Sequence, residues 1–131
     1  PKYKPILKHY QKHVQSLVRF QDESGFWRNV LDHPESRQEV SGTAIFTMAI
    51  ARGIREGWID RRKYEKVALK GWNAISSQIE NDGTVHSICY GTMCSSDVNY
   101  YKNRPFYDND THGLFAVLFA AIEVNKMLNQ K

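Results

Sequence analysis

The chain has 131 residues, 41% of them hydrophobic and 24% charged, a balance typical of one domain able to bury a core of its own. Its formal charge of +4 is scattered along helix-like segments, with no basic run interleaved with stacking aromatics, so neither the composition nor the pattern predicts a nucleic-acid interface. No apolar run reaches the ~18 residues of a membrane span, and no membrane partner is expected. Cys89 and Cys94 leave a small-loop disulfide open. His86 is the only other soft ligand nearby, so no zinc site and no cofactor are expected. The chain begins at Pro1 with neither an initiator methionine nor a signal peptide, which reads as a processed or truncated start.

Residues 5–20 place Ile6, Leu7, Tyr10, Val14, Leu17 and Val18 on one helical face and Lys8, Lys12, Gln15 and Arg19 on the other, the pattern of a half-exposed helix. Asp22-Glu23-Ser24-Gly25 stops it in a turn, and 26–31 reads as a short strand before the polar loop 32–37. A second helix is expected over 41–56, capped by Ser41 or Thr43 and apolar on nearly every side, hence buried on every side. Asp60 can cap a third, amphipathic helix running to about residue 78. The turn Glu80-Asn81-Asp82-Gly83, a strand at 84–88 and a long loop at 89–109 follow. Asp110 or Thr111 then caps a last helix over 113–128, apolar all round in its first half.

The order helix, glycine turn, strand, apolar helix thus occurs twice, 58 residues apart, with Val14 falling on Trp72, Leu17 on Ile75 and Gly25 on Gly83. Repeats of this length mark stacked units that bury their apolar faces on neighbours. The fold expected is all-α: about two helical hairpins of an (α/α)6 toroid, with short strands in the loops and residues 1–131 as one segment. Six such hairpins need roughly 300 residues, so the chain reads as about the C-terminal third of a ring. The remainder of the toroid, or self-association, would cover the apolar helices.

In such a ring the strand-bearing loops sit at the N-termini of the inner helices, where free N–H groups favour anionic or polyhydroxyl ligands. The candidate ligand-binding residues there are Trp27, Arg28, Glu39, Ser41, Tyr107, Asn109, Asp110 and His112. Aromatic rings can pack on sugar C–H faces, polar groups read hydroxyls, and arginine forks a carboxylate. Each has a plainer reading. Trp27 fits a packed strand residue, Arg28 an ion pair, Asp110 an N-cap and His112 a surface residue, while Trp58 and Trp72 fit the core. Glu39 and Asp110 open successive inner helices, but no carboxylate pair is set by spacing alone.

The segment Gly25-Phe26-Trp27-Arg28-Asn29-Val30-Leu31-Asp32-His33-Pro34, followed by Glu39-Val40-Ser41-Gly42-Thr43-Ala44-Ile45-Phe46, resembles the C-terminal part of the bacterial unsaturated glucuronyl and rhamnogalacturonyl hydrolases (glycoside hydrolase families 88 and 105). Ala51-Arg52-Gly53-Ile54-Arg55-Glu56-Gly57-Trp58-Ile59 and Asn109-Asp110-Thr111-His112-Gly113 are similar to their continuations. The resemblance covers nearly the whole chain. It implies removal of a terminal 4,5-unsaturated uronic acid from lyase-generated oligosaccharides: an aspartic acid protonates C4 of the vinyl ether, water adds at C5 and the hemiketal collapses. The family's catalytic aspartates lie in earlier hairpins, so no residue here inherits a catalytic role. It implies a bacterial protein of cytoplasm or periplasm. A non-catalytic helical-repeat module binding glycan or protein, and another toroid sugar enzyme, are the alternatives.

Overall fold

The computed structural model describes residues 3–130. Helix α1 (Lys4–Leu17) carries Pro5 in its first turn, where a missing N–H breaks no hydrogen bond, and tightens at its end into a 3₁₀ turn, Val18–Phe20. Strand β1 (Trp27–Arg28) pairs antiparallel with β2 (Gln38–Glu39), which leads directly into α2 (Val40–Arg55). Helix α3 (Arg61–Ser76) follows. The second unit contains β3 (Ile88–Cys89), α4 (Val98–Lys102), β4 (Phe106–Tyr107) and α5 (Thr111–Asn129). β3 pairs antiparallel with β4, Ile88 opposite Tyr107.

Helix α2 packs against both α3 and α5, and α2 and α5 are the inner pair. One core cluster joins Val14, Trp27, Ile50, Ile54, Tyr64, Val124 and Met127; a second joins Phe26, Val40, Ala44, Ile75, Ile88 and Val117. Small residues bring the inner helices together: Ala44, Ala116 and Ala120 are fully buried, and a side chain at Gly113 would collide with Ser41. The hydroxyl of Tyr10 on α1 donates to the Ala49 carbonyl (2.8 Å), and burial pushes its pKa up to about 12.

The two turns are the same structure. In the first, Asp22 N–H donates to the Phe26 carbonyl (2.9 Å) and Gly25 N–H to the Asp22 carbonyl (3.1 Å). In the second, Glu80 N–H donates to Thr84 (2.9 Å) and Gly83 N–H to Glu80 (3.0 Å). Gly25 and Gly83 both have positive φ, +99° and +90°. Each turn is spanned by a matching pair of side chains, Arg28–Asp22 (3.4 Å) and His86–Glu80 (3.1 Å).

Several expectations need correcting. The strand expected at 26–31 shortens to two residues, because the chain breaks away after Arg28 into a loop closed by the Ser36 hydroxyl. The strand expected at 84–88 lies at its far end, leaving Val85 in a lone bridge to Ile79. The cap of α2 is Glu39, not Ser41 or Thr43. Asp60 and Asp110 cap α3 and α5, as expected. Trp58, expected in the core, is 39% exposed at the foot of α1. Both thiols are free. Helix α5, with 19 residues and mean hydropathy 1.2, does reach membrane-span length and apolarity. Its inner side packs on α2 and buries Glu123 in an ion pair with Arg55 (3.0 Å), the behaviour of a core helix.

The shared turn gives a graded test. A side chain at Gly83 meets open space, so Gly83→Ala should destabilise the protein by only the cost of positive φ, about 1–2 kcal/mol. At Gly25 the same methyl runs into the Lys70 backbone carbonyl, and Gly25→Ala should cost about 3 kcal/mol or more. Urea unfolding of the two variants checks the order; equal losses would remove any weight from the Lys70 contact.

Candidate functional site: the loop cluster at the inner-helix N-termini

The loop between β3 and β4 is held against the first unit at three points. Asn29 Nδ2 donates to the Tyr101 carbonyl, Lys102 pairs with Glu35 (2.5 Å), and the Arg37 guanidinium stacks on the Phe106 ring (4.1 Å). The Lys102 ammonium holds the Glu35 carboxyl down to about 2. Within the loop, the Tyr100 hydroxyl accepts from Met93 N–H (3.1 Å) and the Tyr101 hydroxyl from Ser95 N–H (2.8 Å). Asp97 caps the single-turn helix α4. Tyrosine rings and hydroxyls therefore shape a segment that has no periodicity of its own.

This loop and the start of α5 enclose a cleft of about 580 Å³ lined by Tyr90, Gly91, Tyr100, Arg104 and His112. Tyr90 is the hinge of the cluster: Tyr107 and His112 both meet its ring edge-on, at 5.7 Å and 5.4 Å between centroids. Such pairs contribute about 0.5–1.5 kcal/mol each beyond area burial when enclosed. Asp110 Oδ1 accepts from His112 N–H (2.9 Å) and contacts His112 Nδ1 (2.7 Å). These bonds, backbone first and imidazole second, pull its pKa below the ordinary carboxylate value.

The remaining sequence candidates are placed differently. Trp27 is 1% exposed, with its indole N–H donating to the Leu17 carbonyl (2.8 Å) and its ring edge-on to Phe46. The sugar-platform reading of Trp27 is thereby corrected to a core role, since no ring face is open. Arg28 donates to the Ser36 carbonyl (2.6 Å) while paired with Asp22, and lines a separate pocket of about 370 Å³ with Arg37 and Gln78. Glu39 is buried: its Oε1 accepts from Ser41 N–H (2.9 Å), Ser41 Oγ–H (2.8 Å) and Cys89 N–H (3.1 Å), and its Oε2 from Gly42 N–H. Glu39 and Ser41 are thus spent on each other and on the backbone. Asn109 takes positive φ (53°) and locks Val85 through its backbone N–H and its side-chain oxygen. Neighbouring Asp108 and then Glu80 raise the His86 pKa. The structure therefore gathers Tyr107, Asp110 and His112, and separates them from Trp27 and Arg28. Sequence reasoning missed Arg104, which lies beyond the end of α4 in a stretch without period, so no sequence signal marks it. Among the described residues no three His, Cys, Asp or Glu side chains are grouped to hold a metal ion.

Outer amphipathic and inner apolar helices, with glycine turns and short strands at the inner N-termini, define a segment of an α/α-toroid. The chain belongs to glycosyl hydrolase family 88, whose sequence model matches residues 1–128. It is 32% identical over 117 residues to the unsaturated 3S-rhamnoglycuronyl hydrolase of Alteromonas sp. (strain LOR), covering 88% of this chain and 27% of that protein. It is 36% identical over 94 residues to the unsaturated rhamnogalacturonyl hydrolase YesR of Bacillus subtilis (strain 168), covering 71% of this chain and 25% of that protein. A solved structure described as a possible member of the GH105 family, from Salmonella enterica serovar Paratyphi A, superposes with a TM-score of 0.88 at 25% identity. The match covers 100% of this chain and 35% of that one. The chain thus spans about a quarter of the length of these curated relatives.

A group whose folded pKa is depressed stabilises the fold fully above its unfolded pKa, and that contribution is lost as pH falls through the folded value. For Asp110 the loss should begin below about pH 4. Carboxyl NMR titration should find Asp110 ionised throughout pH 5–8, and Asp110→Asn should flatten the acid limb of the stability profile. A midpoint above 5 would contradict the capping geometry.

Proposed function

We propose that this chain is the C-terminal part of a hydrolase that removes terminal 4,5-unsaturated uronic acid from lyase-generated oligosaccharides. The observation that carries the reading is the family match over residues 1–128, to which the relatives' names add unsaturated rhamnoglycuronyl and rhamnogalacturonyl hydrolases. In this proposal the proton reaches C4 of the vinyl ether from an aspartic acid in another segment, water adds at C5, and the hemiketal opens. The present chain supplies pocket wall: Tyr107 and His112, with Tyr90 between them, offer ring edges and a polar nitrogen to a sugar. Asp110 is not the acid in this proposal: the bonds that cap the helix favour its ionised form and oppose proton donation near neutral pH.

The partner proposed for the inner helices is the rest of the ring. Phe115, Leu118, Phe119 and Ile122 fall at helical spacing along α5 and are 46–60% exposed, with Ile45 of α2 also exposed. Monomeric soluble proteins seldom leave a continuous apolar stripe of this kind open. The isolated chain should therefore self-associate or bind a hydrophobic dye, and a dye-silent monomer in dilute sedimentation would count against a broken ring.

The activity assay follows loss of ultraviolet absorbance from an unsaturated uronyl disaccharide. The full-length enzyme should consume it and the isolated chain should not. Turnover by the isolated chain, abolished in Asp110→Asn, would place the acid here and overturn the proposal. Inactivity of the full-length enzyme on every unsaturated uronide would overturn the substrate class.

A further inference from the structure

Arg104 has an environment that neither the fold nor the candidate residues account for. Its guanidinium lies 4.8 Å from the ring centroid of Tyr100 and 5.9 Å from that of Tyr90. Nη2 donates to the Gly91 carbonyl (2.6 Å), and Nε is buried with no acceptor. None of the ion pairs among the described residues includes it. A half-buried cation without a counter-ion is costly, and a buried N–H without an acceptor adds to that cost. The position is nonetheless fixed: Tyr90 N–H donates to the Pro105 carbonyl (3.0 Å), which ties the strand beside the cleft to the residue after Arg104. Asp110, the carboxylate at the start of α5, is occupied by its own helix through His112.

We infer that Arg104, clamped between Tyr90 and Tyr100, is a specificity-determining residue that receives an anionic substituent of a sugar in the 580 Å³ cleft. A planar guanidinium with unused donors matches a carboxylate or a sulfate ester, and the surrounding rings lower the local dielectric that would otherwise screen the pair. Planar carboxylate and tetrahedral sulfate ester alike can offer a pair of acceptor oxygens to the fork, so the chemistry on the page is an oxyanion borne on a glycan. His112, also lining the cleft with Nε2 toward Gly91, adds a ring nitrogen for a neighbouring hydroxyl. The glycan part of this inference rests on the hydrolase reading; the anion site does not.

The test uses the full-length enzyme as wild type, Arg104→Gln and Arg104→Lys. D-Glucuronate and inorganic sulfate serve as binding probes read by intrinsic fluorescence. The substrates are unsaturated uronyl disaccharides with and without a sulfate ester, and the carboxyl methyl ester of the unsulfated one. Arg104→Gln should lower kcat/KM for the charged substrate about 10- to 100-fold, mainly through KM, without a change in melting temperature. Arg104→Lys should restore part of the loss. A loss confined to the sulfated substrate assigns the anion as sulfate; a loss shared by both acids and absent from the methyl ester assigns it as the uronate carboxylate. Anion binding that vanishes in Arg104→Gln, in an enzyme that turns over no unsaturated uronide, keeps the anion site and removes the hydrolase reading. Equal losses on charged and esterified substrates, or no loss on any together with unaltered probe binding, would overturn the site.

Discussion

Glu39 sits where the two repeats meet, and its burial sets the terms for everything above the inner helices. A carboxyl group removed from water must find donors for its oxygens, and here they come from both units: Ser41 and Gly42 at the start of α2, and Cys89 on β3. Loss of a helix cap alone costs about 1 kcal/mol, but withdrawing Glu39 would also orphan the Cys89 N–H inside the structure. The same junction needs Gly113, because Ser41 occupies the space that a side chain there would fill. One acid and one glycine thus bring the N-termini of α2 and α5 to a common mouth.

The loop that stands around that mouth is held by polar contacts rather than by an apolar core of its own. The β3–β4 loop is fastened to the first unit by an amide, an ion pair and a cation–π contact, and is braced from inside by tyrosine hydroxyls. Individually such surface contacts are weak. Distributed along the loop and into β4, they fix the cleft walls without occupying the cleft, which is the economy a binding site on a loop requires.

The helices and their inner or outer rank were legible because each is long enough for the 3.6-residue period to declare itself. Asp60 and Asp110 could be read as caps because a short acidic side chain precedes a helical run. The cap of α2 was misread: Ser41 is the usual residue type, but the longer Glu39 reaches the same N–H groups and Cys89 besides. Strands of two residues carry no alternation, so β2 and β4 were invisible and β1 and β3 were drawn too long. Trp27 could be assigned to the core only by its partners, Leu17 and Phe46, which lie in other elements. Trp58 failed in the opposite sense, since nothing local tells a tryptophan on a helix-ending turn how much of its ring will stay open to solvent. Arg104 lay in a stretch without period, and its meaning arises from rings brought to it by the fold.

The paired turns show which part of a repeated unit carries its shape. Backbone hydrogen bonds and one glycine define each turn, while the side chains bridging it differ, arginine with aspartate in the first and histidine with glutamate in the second. A permanent cation stands at one turn and a titrating group at the other, yet the chain path is the same. Side-chain identity in such a unit can vary so long as the main chain keeps its own register. The glycine is therefore the letter by which this hairpin can be recognised in a sequence, where the residues across the turn would not betray it.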